Sequence, residues 1–287
     1  MRRRPRHTIA RWIAPLGLWL ASPSSAAAYC RTTTVEPRPG SDPAACPESG
    51  LPLFWPTRRL GYAINERGFP DLSPEQLREI LERSFGAWLD VDCGEQPIDL
   101  FIEQADQTTA IEPDDHVQPP RPNLIVYLAR EEWEDDPRAF AITKLRYNAR
   151  TGHILGADMV FNGGKDPFIA CDEDACEGGE GTDLPNVVTH EAGHFVGLAH
   201  SDDSDSTMWH DAKASETDKR SLEPDDREGI CAIYGPGVEP APPPSRRDPV
   251  TGIICAAGLP RGPAPAGRGL LWLWLGLGGL TWARRCR

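Results

Sequence analysis

The chain has 287 residues, with 30 Lys and Arg against 43 Asp and Glu and a formal net charge of -13, a length that fits one or two domains. Residues 29–236 alone hold 18 basic and 41 acidic residues. So acidic a body excludes nucleic acid as an expected partner, because that partner needs a basic face. A hydrophobic fraction of 39% with nine Trp excludes global disorder.

Residues 1–28 read as a signal peptide. They carry five Arg and no acid, then the apolar run WIAPLGLWLA, then SPSSAAA with a small-residue cleavage site before Tyr29. The apolar run is too short to cross the ~30 Å hydrocarbon core of a membrane. Cys30 follows Tyr29, not the cut itself, so N-terminal lipidation is not expected. Export places the body of the chain in an oxidising compartment, where disulfides persist. Residues 29–50 form a short N-terminal segment, and residues 51–236 form a domain long enough for one core.

Within that domain, Leu60–Ile64 reads as a strand. Ser73-Pro74-Glu75-Gln76 opens a helix, with Ser as N-cap, Pro at the first helical position and Gln three residues on. Leu77, Ile80, Leu81, Ser84, Phe85 and Trp88 then follow a helical stripe. Residues 98–104 and 123–129 read as strands, and runs around 139–147 and 154–162 flank a turn at Asn148–Gly152 as a hairpin. A second helix is expected from Asp183 or Pro185, and a third from Glu223-Pro224 to Ile233.

The second helix carries His190-Glu191-Ala192-Gly193-His194-Phe195-Val196-Gly197-Leu198-Ala199-His200. Histidines four apart project from one helix face and can hold Zn2+. Glu191 sits beside them, outside the ligand set, where it can take a proton from water. Gly197 can adopt a backbone angle closed to other residues, ending the helix so that His200 returns as a third ligand. Three His leave a position for water, as in catalytic zinc sites. The acidic stretch Cys171–Asp183 is an oxygen-rich candidate for Ca2+, although its spacing is not that of an EF-hand and a solvated loop is the plainer expectation.

After signal removal eight Cys remain. Cys255 and Cys286 are assigned to the tail, leaving six that can form three disulfides. Cys171–Cys176 is favoured as a loop staple; Cys30–Cys46 and Cys93–Cys231 follow by elimination. Residues 237–268 read as a Pro-rich linker. Residues 269–287 read as an apolar tail closed by Arg284, Arg285 and Arg287, with basic residues placed for cytoplasmic retention. Fifteen helical residues reach only about 22 Å, short of a normal span. The series Cys255, linker, apolar run and Arg cluster resembles the C-terminal sorting tails of myxobacterial surface proteins. The resemblance implies a bacterial chain sorted to the cell surface or extracellular matrix, tethered to the membrane through the tail, with modification of Cys255 and tail removal.

The eleven-residue signature followed by Met208, eight residues after His200, resembles the metzincin pattern, in which such a Met forms a hydrophobic floor beneath the metal. Within metzincins the chain most resembles the matrixins. His200 is followed by Ser201, Leu222–Gly235 is similar to the family's C-terminal helix (L-x-x-D-D-x-x-G-I-x-x-x-Y-G), and the helix of residues 74–89, with FGAWLDVD at its end, is similar to the family's first helix. This resemblance over Leu51–Gly235 implies an α+β (α/β-like) catalytic domain: a twisted, mostly parallel five-stranded sheet with three helices. It implies zinc held by His190, His194 and His200 in a cleft below an edge strand around Ala139–Tyr147. It further implies Glu191 as general base, Met208 in a Met-turn, and substrate lying antiparallel to the edge strand. Segment Trp209–Leu222 would wall the specificity pocket.

The matrixin cysteine-switch motif is missing, which speaks against zinc–thiolate latency through Cys30 or Cys46. His210 stands where animal matrixins usually have Pro. His116, His153 and His210 are scattered and read as exposed polar residues, not as ligands of a second zinc. The reading is a secreted or surface-tethered, monomeric zinc endopeptidase acting on protein or peptide substrates. Its rivals are a zinc hydrolase of small or cell-wall peptides and a catalytically weak surface binding module.

Overall fold

The computed structural model of the chain describes residues 29–37, 41–94, 96–108, 123–165, 167–171, 181–213, 215–238 and 251–256. Its elements are β1 (Arg59–Asn65), α1 (Pro74–Leu89), β2 (Phe101–Thr108), β3 (Asn123–Ala129), β4 (Ala141–Tyr147), β5 (Ile154–Gly163), β6 (Phe168–Ile169), β7 (Thr182–Asp183), α2 (Leu184–Phe195), a 3-10 turn at Asp218–Arg220, α3 (Pro224–Tyr234) and β8 (Gly252–Ala256). The main sheet has the order β2-β1-β3-β5-β4-β8, and β6 and β7 pair separately. The β2–β1, β1–β3 and β3–β5 ladders are parallel, while β4 runs antiparallel to both β5 and β8.

The α1 cap forms as its sequence dictates. Ser73 Oγ accepts from the Gln76 N–H, and the Gln76 side chain accepts from the Ser73 N–H at 2.9 Å. The stripe Leu77, Ile80, Leu81, Phe85 and Trp88 is buried. Phe85 stacks on Tyr62 of β1 and meets Phe195 of α2 edge-on, with ring centroids 5.2 Å apart in both pairs. This aromatic column joins sheet, first helix and second helix through one core. Every residue of α2 is buried. Burial on all sides requires that its polar groups find partners inside the protein, and this dictates much of the site chemistry.

The β4–β5 hairpin turns at Asn148–Gly152, where Gly152 takes a positive φ of 74° against the carbonyl of Pro52. β2 begins three residues later than its sequence suggests. Ile98 and Leu100 are buried, but Asp99 N–H points to the Tyr234 carbonyl at the end of α3. Those apolar residues join the main core before the chain enters the sheet.

Several expectations are corrected. The sheet has six described strands, not five, and β4 is not its edge: β8 covers it. β8 falls inside the stretch read as linker. Its Ile254 is buried at 3% exposure in the main core, and the β4 main chain gives it a ladder, so a short apolar run after a Pro-rich stretch becomes a strand. Cys255, assigned to the tail, lies in β8 and is disulfide-bonded.

The bridges Cys30–Cys46 and Cys93–Cys231 both form. Cys171 is disulfide-bonded; Cys176, its expected partner, lies outside the described residues. So do the segment read as a signal peptide (1–28), most of the candidate calcium loop (172–180), His116 and the segment read as a tail (269–287). Among the described residues no helix is long and apolar enough to cross a membrane.

Candidate active site

His190 and His194 lie on the last turns of α2. The helix stops at Phe195, and Gly197 follows with φ 101°. A side chain at 197 would meet the Leu53 carbonyl at 2.7 Å, so conformation and space both require glycine. The reversal is held by the N-terminal segment: Thr32 N–H donates to Gly197 O, Thr32 Oγ1 donates to Leu198 O at 2.8 Å, and Ala199 N–H donates to Cys30 O. The Cys30–Cys46 bridge therefore braces the loop that returns His200 and leaves neither cysteine as a thiol that could ligate a metal.

The three imidazoles converge, with ring centroids 4.7 Å apart for His190–His194, 5.3 Å for His190–His200 and 5.0 Å for His194–His200. One ligand nitrogen from each lies within 4.8 Å of the others, the one such donor cluster among the described residues. Their Nδ1 atoms face main-chain carbonyls: His190 to Thr207 O at 2.7 Å, His194 to Leu198 O at 2.9 Å and His200 to Pro43 O at 3.2 Å. A carbonyl only accepts, so each Nδ1 carries the proton and each Nε2 keeps its lone pair, the tautomer that ligates a metal. His190 Nε2 is buried with no hydrogen-bond partner, a costly state for a polar atom unless a cation completes it. Burial, then the neighbouring His194 and His200, holds the His190 pKa well below its usual value. The donor set fits zinc: three neutral nitrogens, preoriented and shielded from bulk water.

Glu191 is fully buried. Thr143 Oγ1 on β4 donates to its Oε2 at 2.6 Å, and Oε1 is buried without a hydrogen-bond partner. Burial pushes the Glu191 pKa up to about 8, while the bonds from Thr143 pull it down. A nearby cation favours the carboxylate.

Met208 is buried at 2% exposure beneath the helix. A Cβ at Gly193 would overlap the Met208 sulfur and come within 2.7 Å of Trp88 Cζ2. The methionine turn hangs on one carboxylate: Asp226 of α3 accepts from Ser206 Oγ, Thr207 N–H and Met208 N–H at 2.6, 2.8 and 3.2 Å. The adjacent Asp225 accepts from Ser201 Oγ at 2.7 Å. Thr143, Gly193 and Asp226 had no role assigned from sequence. A glycine inside a helix costs about 1 kcal/mol against alanine, so Gly193 alone carried a signal of close packing. His210 is half-buried, its ring 6.0 Å from His200, and His153 is half-buried against Phe54; neither is the exposed residue expected. The segment after Met208 borders a cavity of about 750 Å³ lined by Trp209, Ala212, Lys213, Glu216, Lys219 and Ser221 among others.

Residues 116–235 match the family model for matrixin, peptidase family M10. Interstitial collagenase of Sus scrofa is 27% identical over 205 residues, covering 71% of this chain and 37% of that protein. Matrix metalloproteinase-25 of Homo sapiens is 29% identical over 188 residues, covering 63% and 30%. Matrix metalloproteinase-16 of Homo sapiens is 45% identical over 67 residues, covering 23% and 11%. The chain thus spans about a third or less of the length of these curated relatives. The likenesses support a matrixin-type metalloprotease, and the mixed sheet with three helices is consistent with a matrixin catalytic domain.

Proposed function

We propose that the chain is an exported, zinc-dependent endopeptidase that hydrolyses peptide bonds in proteins or peptides. The observation that carries this reading is the convergence of three carbonyl-anchored histidines beside a buried carboxylate. His190, His194 and His200 would hold zinc, which supplies a Lewis acid and acidifies water at neutral pH. Glu191 takes the proton of the attacking water and returns it to the leaving amine. Thr143 fixes one carboxylate oxygen, so the other is the proton carrier. The β4 main chain, whose outer side β8 covers in this structure, would align an extended substrate as an added antiparallel strand when that side is open; Met208 supports the ligands from below, and segment 209–222 borders the side-chain pocket. Export through residues 1–28 and surface retention through residues 269–287 belong to the same proposal, with calcium a secondary candidate in Cys171–Asp183.

The test is cleavage of casein by the purified full chain. Cleavage that a chelator abolishes and zinc restores supports the reading. Chelator-insensitive cleavage, or hydrolysis of dipeptides with casein left intact, contradicts it.

A further inference from the structure

We propose that Thr251–Ala256 is a built-in occupant of the peptide-binding edge of β4, so that the chain covers its own substrate site. The inference rests on the reading above, in which an extended peptide adds to β4.

β8 pairs antiparallel with β4 from Gly252 opposite Tyr147 to Ala256 opposite Thr143. Thr143 is the residue bonded to Glu191. The segment therefore runs in the direction expected of a substrate, and its C-terminal end lies nearest the general base. It binds in the manner of an added strand, through main-chain pairing along the ladder and one side chain seated in the protein. Thr251 N–H donates to Tyr147 O at 3.0 Å, and Ile254 is buried while Ile253 and Cys255 are half-buried. Gly252 lets the strand approach: a Cβ there would overlap the Tyr147 ring. That ring cannot swing aside freely, because its hydroxyl donates to Thr34 O at 3.0 Å.

Residues 239–250 connect this strand to the end of the domain and Cys255 within it is disulfide-bonded, so docking is intramolecular. A short tether gives an effective concentration on the order of 1 mM. A segment with intrinsic affinity on the order of 0.1 mM would then suppress external substrate about tenfold.

The rival is a purely structural sixth strand, and the experiment separates the two. Gly252→Val and, separately, Ile254→Asp are made in the full chain. A labelled peptide with the sequence of residues 250–257 serves as binding probe and a quenched peptide as substrate. Both variants should bind the probe where the unsubstituted chain does not. They should also turn over substrate about tenfold faster, with melting temperatures within about 3 °C of the parent. Equal or lower turnover in the variants overturns the proposal, as does failure of every chain to bind the probe. A lowered melting temperature with lost activity in both variants also overturns it, making β8 structural. If no chain cleaves substrate but only the variants bind the probe, the docked strand stands and the endopeptidase reading falls.

Discussion

Thr143 Oγ1 lies 2.6 Å from Glu191 Oε2, a bond between residues 48 apart in sequence that joins the strand beside the site to the carboxylate within it. A hydrogen bond to a charged partner contributes about 1.5–3 kcal/mol. Thr143→Val should therefore lower kcat about ten- to a hundredfold with KM and zinc content unchanged, and Thr143→Ser should restore most of the rate. Steady-state kinetics on the zinc-loaded chains check this; equal loss in both variants would point to packing in place of the hydroxyl.

His194→Ala should remove a ligand and weaken zinc binding by orders of magnitude. Its Nδ1 partner is the Leu198 carbonyl, so the loop leading to His200 should loosen too. Zinc titration against a competing chelator reads the affinity, and an unchanged value would exclude His194 from the ligand set.

Asp226→Ala should destabilise the protein by roughly 3 kcal/mol or more, because Ser206, Thr207 and Met208 all lose a buried acceptor. Asp226→Asn keeps one acceptor oxygen and should lose less. Thermal melts of the metal-stripped proteins rank the three; a silent Asp226→Ala would mean the turn is held by other contacts.

Alkaline pH should unfold the chain through Tyr62 and Tyr234. Burial pushes the Tyr62 hydroxyl up to about 12 and raises Tyr234 further, from the ordinary 10.0. A raised folded-state pKa gives stability that is complete below pH 10 and is lost as pH climbs through the folded value. Each group contributes a slope of up to about 1.4 kcal/mol per pH unit in that window. Melts between pH 9 and 11.5 should fall steeply above 10, and a flat profile would contradict the assignment. Tyr234 O–H donates to Val196 O and accepts from Trp55 N–H, so Tyr234→Phe should shallow the slope while lowering stability at neutral pH.

Much of the site was legible because it is local. The four-residue spacing of His190 and His194 follows from helix geometry, and the positive φ of Gly197 from the need to stop the helix before His200. Ser73 and Gln76 announced α1 in the same way. Thr143 was hidden because strand alternation names a face but not which residue meets Glu191; the packing of α2 against β4 decides that. Asp226 was visible only as one position of the C-terminal helix pattern, while the methionine-turn groups that donate to it lie 18–20 residues earlier. β8 was hidden for a third reason. Five residues such as Gly252–Ala256 suit a linker as well as a strand, and only the open ladder of β4 gives them partners.

The most direct measurement of the central claim is the turnover of an extended peptide by Glu191→Ala at known zinc occupancy. The expected result is one zinc per chain, as in the parent, with turnover reduced at least about a thousandfold, because a general base and not a ligand has been removed. Zinc retained with turnover intact would contradict the mechanism, and zinc lost would place Glu191 among the ligands.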